Sequence, residues 1–314
     1  MNEDRKKELE KQGYRIVGNH SAVKICMWTK KAIKAEDECY KKTFYGINTH
    51  RCVQMTPCLP FCTMRCMWCW RDSNFEDARW TTTIDEPKDI VDGCIKEQVK
   101  ILQGFKGNPN SDPKILDEAF MPNMFAISLV GEPTLYPKLP ELIDEIKSRN
   151  MTAFLVTNGT NPFMLEILKG HEPTQLYITL PAPNKDVYEK VCNPVIPNGW
   201  DNIMQSLSNL EKLDTRRTIR LTLVKGVNMI NAEEYANILK QHPDIHFIEA
   251  KGYVWVGHSR ERLEKDSMPT HDDIKAFANE IIKYYPELKI VAEKENSRVV
   301  LLAKQDYDWR VMDL

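Results

Sequence analysis

Short runs of apolar and β-branched residues recur through the middle of the chain. They cover Cys52–Thr56, Met124–Val130, Ala153–Thr157, Gln175–Leu180, Ile219–Val224 and, less regularly, His246–Lys251. Between most of them apolar positions repeat with helical spacing, over Pro87–Gly104, Leu139–Arg149, Pro162–Leu168, Trp200–Leu213 and Ala232–Gln241. Strands alternating with helices predict βα units around a parallel sheet. The unbroken run Phe125–Val130 suits a strand covered on both faces. Six such units fit a partly closed (βα)6 barrel, and an open doubly wound sheet satisfies the same pattern.

Residues 51–270 hold these units. Residues 1–50 read as an N-terminal extension, with an amphipathic helix near its start and then a lysine-rich stretch. Residues 271–314 read as a C-terminal extension packed on the core, a helix over Asp272–Tyr285 followed by strands at Leu288–Ala292 and Arg298–Ala303. The segment Gly104–Glu118 is rich in Gly, Asn, Pro and Asp and predicts an exposed loop. A hydrophobic content of 42% with 28% charge suits a globular protein, and no apolar run is long enough to span a membrane. The charged start, Met1–Gln12, has no apolar signal core, so a cytoplasmic protein is expected. The net charge of -2 argues against holding a polyanion by bulk charge, but leaves room for a local basic face.

Nine cysteines change the picture, because clustered thiols in a reducing compartment point to metal ligation rather than disulfides. The sharpest cluster is Cys62-Thr-Met-Arg-Cys66-Met-Trp68-Cys69, a C-x3-C-x2-C run. Three thiolates on one loop can each ligate one iron of a four-iron cluster and leave the fourth iron open to a substrate. Cys58 falls outside this spacing. A structural zinc site needs a fourth cysteine or histidine at finger spacing, and no second C-x2-C pair occurs.

The loop follows the first predicted strand, and an aromatic, Trp68, stands before its last cysteine, so it resembles the radical S-adenosylmethionine superfamily. Gly131-Glu132-Pro133, at the end of the second strand, is similar to that superfamily's Gly-Gly-Glu motif, with Val130 where the first glycine stands. The resemblance implies a [4Fe-4S] cluster on Cys62, Cys66 and Cys69. It also implies S-adenosyl-L-methionine held near Trp68, Gly131 and Glu132, and its cleavage to a carbon radical. Asn158 and Thr179, at later strand ends, are candidates for contacts to the cofactor or substrate, or ordinary strand-end caps.

Upstream, Cys26, Cys39 and Cys52 are spaced C-x12-C-x12-C and suit either a second cluster or three inert thiols. Cys58, Cys94 and Cys192 are read as non-ligands, Cys94 on a helix face. The two cysteine sets together resemble the tRNA 4-demethylwyosine synthase family of wybutosine biosynthesis, as do Ser128–Pro137, Thr157-Asn-Gly159 and Glu249–Arg260. That resemblance covers residues 20–270. It implies a partial TIM-like barrel with two [4Fe-4S] clusters. The implied reaction is a radical lyase condensation of pyruvate with N1-methylguanosine, 3′ of the anticodon in tRNA(Phe). With no room for a flavodoxin-like domain, electrons are expected from a separate flavodoxin- or ferredoxin-type donor. Closing the third ring needs an activated pyruvate carbonyl, and Lys41, two residues after Cys39, is the candidate for a Schiff base. The same lysine belongs to the run Lys30, Lys31, Lys34, Lys41 and Lys42, which reads equally as a solvated or RNA-facing patch.

The anticodon stem-loop is expected to meet the basic groups Lys24–Lys42, Arg216-Arg217 with Arg220, and Arg260-Glu-Arg262, with Trp28, Tyr40, Phe44, Tyr253 and Trp255 available for stacking. Two alternatives use the same residues: an activating enzyme with a protein substrate, and a zinc-stabilised RNA-binding protein without catalysis.

Overall fold

The computed structural model describes residues 3–73 and 77–314. The chain opens with α1 (Glu3–Lys11), the hairpin β1 (Arg15–Val17) and β2 (Ser21–Val23), then α2 (Met27–Ile33) and α3 (Tyr40–Tyr45). The repeating part runs β3 (Cys52–Thr56), α4 (Pro87–Gln103), α5 (Pro113–Ala119), β4 (Met124–Ile127), α6 (Leu139–Ser148), β5 (Thr152–Thr157), α7 (Pro162–Ile167) and β6 (Gln175–Thr179). It continues with α8 (Lys185–Cys192), α9 (Gly199–Asn209), β7 (Arg216–Leu223), α10 (Ala232–Lys240) and β8 (Phe247–Gly252), and the chain closes with α11 (His271–Tyr284), β9 (Lys289–Lys294) and β10 (Val299–Ala303).

Strands β3 to β8 pair in sequence order and all in parallel, as helical crossovers require. Both terminal extensions join this sheet. β2 pairs antiparallel with β3, with β1 outside it, and β10 pairs antiparallel with β8, with β9 outside it. The result is a ten-stranded α/β sheet with a six-stranded parallel centre. Alternate residues divide its two faces. Phe125 and Ile127 of β4 join the large core formed with the helices, while Met124 and Ala126 face Phe154, Tyr177 and Phe247 on the hollow side. There α3 inserts Phe44 and Tyr45, so the N-terminal extension fills the floor of the half-barrel.

One expectation fails: Gly104–Glu118 is not simply an exposed loop. Its second half belongs to α5, where the Asp112 side chain accepts from the N–H of Ile115 and Pro113 starts the helix. Leu116 and Ala119 pack with Ile25 and Ile33, beneath α2. The polar composition that suggested a loop is the helix-starting chemistry itself. The strand expected over Met124–Val130 also stops earlier, at Ile127. The N–H groups of Ser128 and Leu129 both turn to the Met55 carbonyl, at 3.1 Å each, and the chain leaves the sheet toward the site.

Candidate active site

The cysteine loop leaves the end of β3 and is held by backbone rather than by regular structure. Cys62 N–H donates to the Asp77 carbonyl (3.0 Å), Arg65 N–H to Cys192 (2.9 Å), Met67 N–H to Val191 (2.9 Å) and Cys69 N–H to Cys66 (3.0 Å). From the far end of the sheet Arg262 donates to the carbonyls of Met67 (3.2 Å), Cys69 and Arg71 (3.4 Å). Cys62, Cys66 and Cys69 are brought together around a cavity of about 210 Å³, and Trp68, Gly131, Glu132, Asn158 and Thr179 line it with them. Every residue singled out for this chemistry thus reaches one space, at the ends of β3 to β6 where barrel sites gather.

Gly131 has φ +73°, and a Cβ on it would lie 1.9 Å from the Cys58 carbonyl oxygen, so this turn accepts glycine alone. The Glu132 carboxylate is fully engaged. One oxygen accepts from the Thr134 N–H (3.0 Å) and the Thr134 and Thr157 hydroxyls (2.5 and 2.6 Å), the other from the Asn158 N–H (2.7 Å). Burial raises its pKa, and these bonds oppose the shift. Glu132 therefore ties the end of β4 to that of β5. Asn158 is engaged as well: its amide donates to Thr63 Oγ1 (2.8 Å) and its Oδ1 accepts from Thr160.

Cys26 precedes α2, Cys39 precedes α3 and Cys52 opens β3, yet all three line a second cavity, of about 380 Å³. Lys41, in the first turn of α3, lines it too and is only 7% exposed, with Nζ 4.8 Å from the ring centre of Tyr177 and 5.0 Å from that of Phe154. It is no part of a solvated basic run. Burial, and then the neighbouring Arg220 guanidinium, lower its pKa. Burial and the nearby Cys26 push the Cys39 thiol up to about 11, and burial pushes Cys52 up to about 12. The two cavities share Trp70 and Ser128 and so adjoin.

The donor sets suit iron–sulphur clusters. Among the described residues no three His, Cys, Asp or Glu side chains converge closely enough to share a single metal ion. Each set of three thiols lines one cavity, the arrangement that ligation of three irons of one cluster would use. Thiols held high by burial bind protons at neutral pH unless a cation displaces them. Cys58, Cys94 and Cys192 are buried and line neither cavity.

Several residues expected to face RNA do other work. Arg220 lies in the second cavity, paired with Glu249 at 2.9 Å. Arg216 stacks within 5.1 Å of Trp309 and donates to the carbonyls of Trp309 and Arg310, and Arg217 bonds His246 at 3.0 Å. Arg262 holds the cysteine loop, and Tyr40, Phe44 and Tyr253 are buried. Arg260 remains exposed, 4.7 Å over Trp255, and Lys31 lies 5.3 Å over Trp28. Lys251, to which no role was assigned, lines the second cavity beside Lys41. Burial and Arg220 lower it to about 8, and its ammonium donates to the Ser297 carbonyl (3.0 Å). Its signal in the sequence was a lysine inside the apolar strand Phe247–Gly252.

This fold and cysteine loop define a radical S-adenosylmethionine protein, and the sequence model of that superfamily matches residues 125–239. A second model, described as wyosine base formation, matches residues 242–304. The chain belongs to the tRNA 4-demethylwyosine synthase family. It is 48% identical over 304 residues to the S-adenosyl-L-methionine-dependent tRNA 4-demethylwyosine synthase of Pyrococcus horikoshii, covering 96% of this chain and 88% of that one. The human enzyme of that name is 35% identical over 302 residues, covering 95% of this chain and 41% of its own. Among solved structures, TYW1 with a lysine-pyruvate adduct bound superposes with a TM-score of 0.86 at 36% identity, over 97% of this chain and 96% of that one. An archaeal TYW1 structure gives 0.77 at 33%, over the same shares. Membership sets aside both the activating-enzyme and the zinc-binding alternatives.

Proposed function

We propose that this chain condenses pyruvate with N1-methylguanosine in tRNA(Phe), 3′ of the anticodon, keeping two pyruvate carbons and releasing the carboxylate carbon, to build the tricyclic base 4-demethylwyosine. The observation that carries the reading is the meeting of two cysteine-lined cavities across Trp70 and Ser128, one holding Lys41. Cys62, Cys66 and Cys69 would hold the [4Fe-4S] cluster that the superfamily implies, and Cys26, Cys39 and Cys52 a second one. When bound, the first cluster and S-adenosylmethionine supply a carbon radical that takes a hydrogen atom from the substrate methyl group.

In this reading Gly131 and Glu132 shape the wall against which the cofactor lies, and Glu132 keeps Asn158 in place at the adjoining strand end. The Lys41 amine adds to the pyruvate ketone, and the resulting carbinolamine takes up a proton and loses its hydroxyl as water to give an iminium carbon, a better acceptor than the ketone. Burial among Phe154, Tyr177 and Arg220 favours the unprotonated amine that this attack needs. Pyruvate also suits the solved relative, which carries a lysine-pyruvate adduct. Exposed Arg260 on Trp255 and half-buried Lys31 on Trp28 would stack on and steer the anticodon loop.

Residues 1–50 bring second-cluster cysteines, 51–270 form the barrel core and 271–314 pack on it. Electrons come from a separate flavodoxin- or ferredoxin-type protein. No helix among the described residues is long and apolar enough to cross a membrane, which agrees with a cytoplasmic setting. Mass spectrometry of tRNA incubated anaerobically with the enzyme, S-adenosylmethionine, reductant and pyruvate tests the reading. A pyruvate-dependent tricyclic guanosine is expected, and unchanged N1-methylguanosine would reject it.

A further inference from the structure

Trp70 directly follows Cys69 and lines both cavities. It is held from several directions. Its ring stacks on Tyr14 at 5.8 Å and 12°, and the Lys24 ammonium sits 4.5 Å from the Trp70 ring and 4.6 Å from that of Tyr14. Its carbonyl accepts from the His258 N–H at 3.0 Å. Gly257, with φ +56°, passes so close that a Cβ would lie 2.2 Å from that same carbonyl oxygen. Arg262 binds the carbonyls of Cys69 and Arg71 on either side of it. Three separate parts of the chain, around Tyr14, Lys24 and Gly257–Arg262, thus converge on one residue that the cysteine motif itself does not require.

We propose that Trp70 is a positioning residue, a partial wall at the boundary shared by the radical and lysine cavities, which narrows their junction to what the nucleobase methyl carbon needs to reach the lysine cavity and fixes how the two are offset. This rests on the functional reading above. A primary carbon radical reacts with whatever donor it meets first, and an open cluster iron accepts any small chelating acid. A bulky, rigid side chain between the spaces keeps the radical on the nucleobase side and keeps pyruvate away from the first cluster. Tyr14 and Lys24 hold the ring while Gly257, His258 and Arg262 hold the backbone on which it stands, which gives the wall the stiffness this task needs, since a ring free to rotate would widen the junction.

The test uses the reconstituted full chain with Trp70→Ala, Trp70→Phe and Lys24→Met. Two readings are taken: the ratio of 5′-deoxyadenosine to tricyclic product, and the electron paramagnetic resonance signal of the reduced, adenosylmethionine-bound first cluster with and without pyruvate. In the wild type and Trp70→Phe the signal is expected to ignore pyruvate. In Trp70→Ala pyruvate is expected to alter it, with the ratio rising about tenfold or more, and Lys24→Met should raise the ratio by a smaller factor. A wild-type ratio and a pyruvate-insensitive signal in Trp70→Ala would overturn the proposal. Should that variant not fold, Lys24→Met decides alone: no rise in its ratio rejects the wall. Borohydride trapping of pyruvate on the wild-type protein tests the functional reading separately, because it needs no turnover. Its failure would remove that reading while the pyruvate response of the cluster signal still judged the wall.

Discussion

Arg220 and Glu249 stand side by side in the register of two neighbouring parallel strands and close an ion pair of 2.9 Å beneath the lysine cavity. Tyr40 and Tyr45 donate to the same carboxylate at 3.0 and 2.8 Å, and Arg220 also bonds the Tyr40 hydroxyl at 2.7 Å. Each polar group in this knot has partners, and the N-terminal extension is tied through it to the sheet. Removing one member strands the rest. Glu249→Ala is expected to lower the unfolding free energy by roughly 3–5 kcal/mol in denaturant titrations, because an unpaired guanidinium stays buried. Replacing both charges, Arg220→Met with Glu249→Leu, should recover only part of that loss, because the buried Tyr40 and Tyr45 hydroxyls still lose their acceptor. A single variant as stable as the wild type would show that the pair is hydrated.

The two cysteine sets should separate by phenotype. Alanine at Cys62, Cys66 or Cys69 is expected to abolish 5′-deoxyadenosine formation. Alanine at Cys26, Cys39 or Cys52 should leave that cleavage intact and remove the tricyclic product. Iron should fall from about eight to about four atoms per chain in either case. Loss of cleavage from the second group of variants would merge the two sets into one function.

Two lysines line the second cavity, and only one is expected to carry pyruvate. Lys41→Ala should remove the borohydride-trapped adduct, read as the mass of the intact protein, and should cut product formation at least a hundredfold. Lys251→Met should keep the adduct, since its ammonium is already bound to the Ser297 carbonyl. The opposite pattern would transfer the amine's role to Lys251.

Helix α5 is a sensitive place on the far side of α2. Asp112 caps it through the Ile115 N–H at 3.0 Å, and its own N–H donates to the Ile33 carbonyl at 2.8 Å. Asp112→Ala is expected to cost about 1 kcal/mol of stability. Asp112→Asn, which preserves the acceptor, should cost clearly less. Equal losses in the two would put the effect on charge rather than capping.

His246 links stability to pH. Burial, and then Arg217 and Arg216 beside it, push its pKa down to about 4 from the usual 6.5. The folded protein therefore holds this ring neutral where the unfolded chain protonates it. Its contribution is present in full above about pH 6.5 and is lost as the pH falls toward 4. Within that window the slope from this group reaches at most one proton, or about 1.4 kcal/mol per pH unit. His246→Phe should flatten the unfolding free energy over that range, and an unchanged slope would place the titration elsewhere.

Local chemistry made much of this protein legible from the sequence alone. The βα repeat followed from alternating apolar runs, and the spacing Cys62, Cys66 and Cys69 on one loop needs no distant partner to be recognised. The family likeness carried the reading from there to Cys26, Cys39, Cys52 and Lys41. Tertiary structure alone decided which charges are internal. Arg216, Arg220 and Arg262 look like any surface cation in sequence, because the Trp309 ring, the Glu249 carboxylate and the Cys69 carbonyl that engage them come from distant parts of the chain. The same holds for Trp70 between two cavities and for Lys251 beside Lys41. Periodicity reports which face a residue occupies, but what lies opposite that face is set by how the sheet curves and where both chain ends return to it.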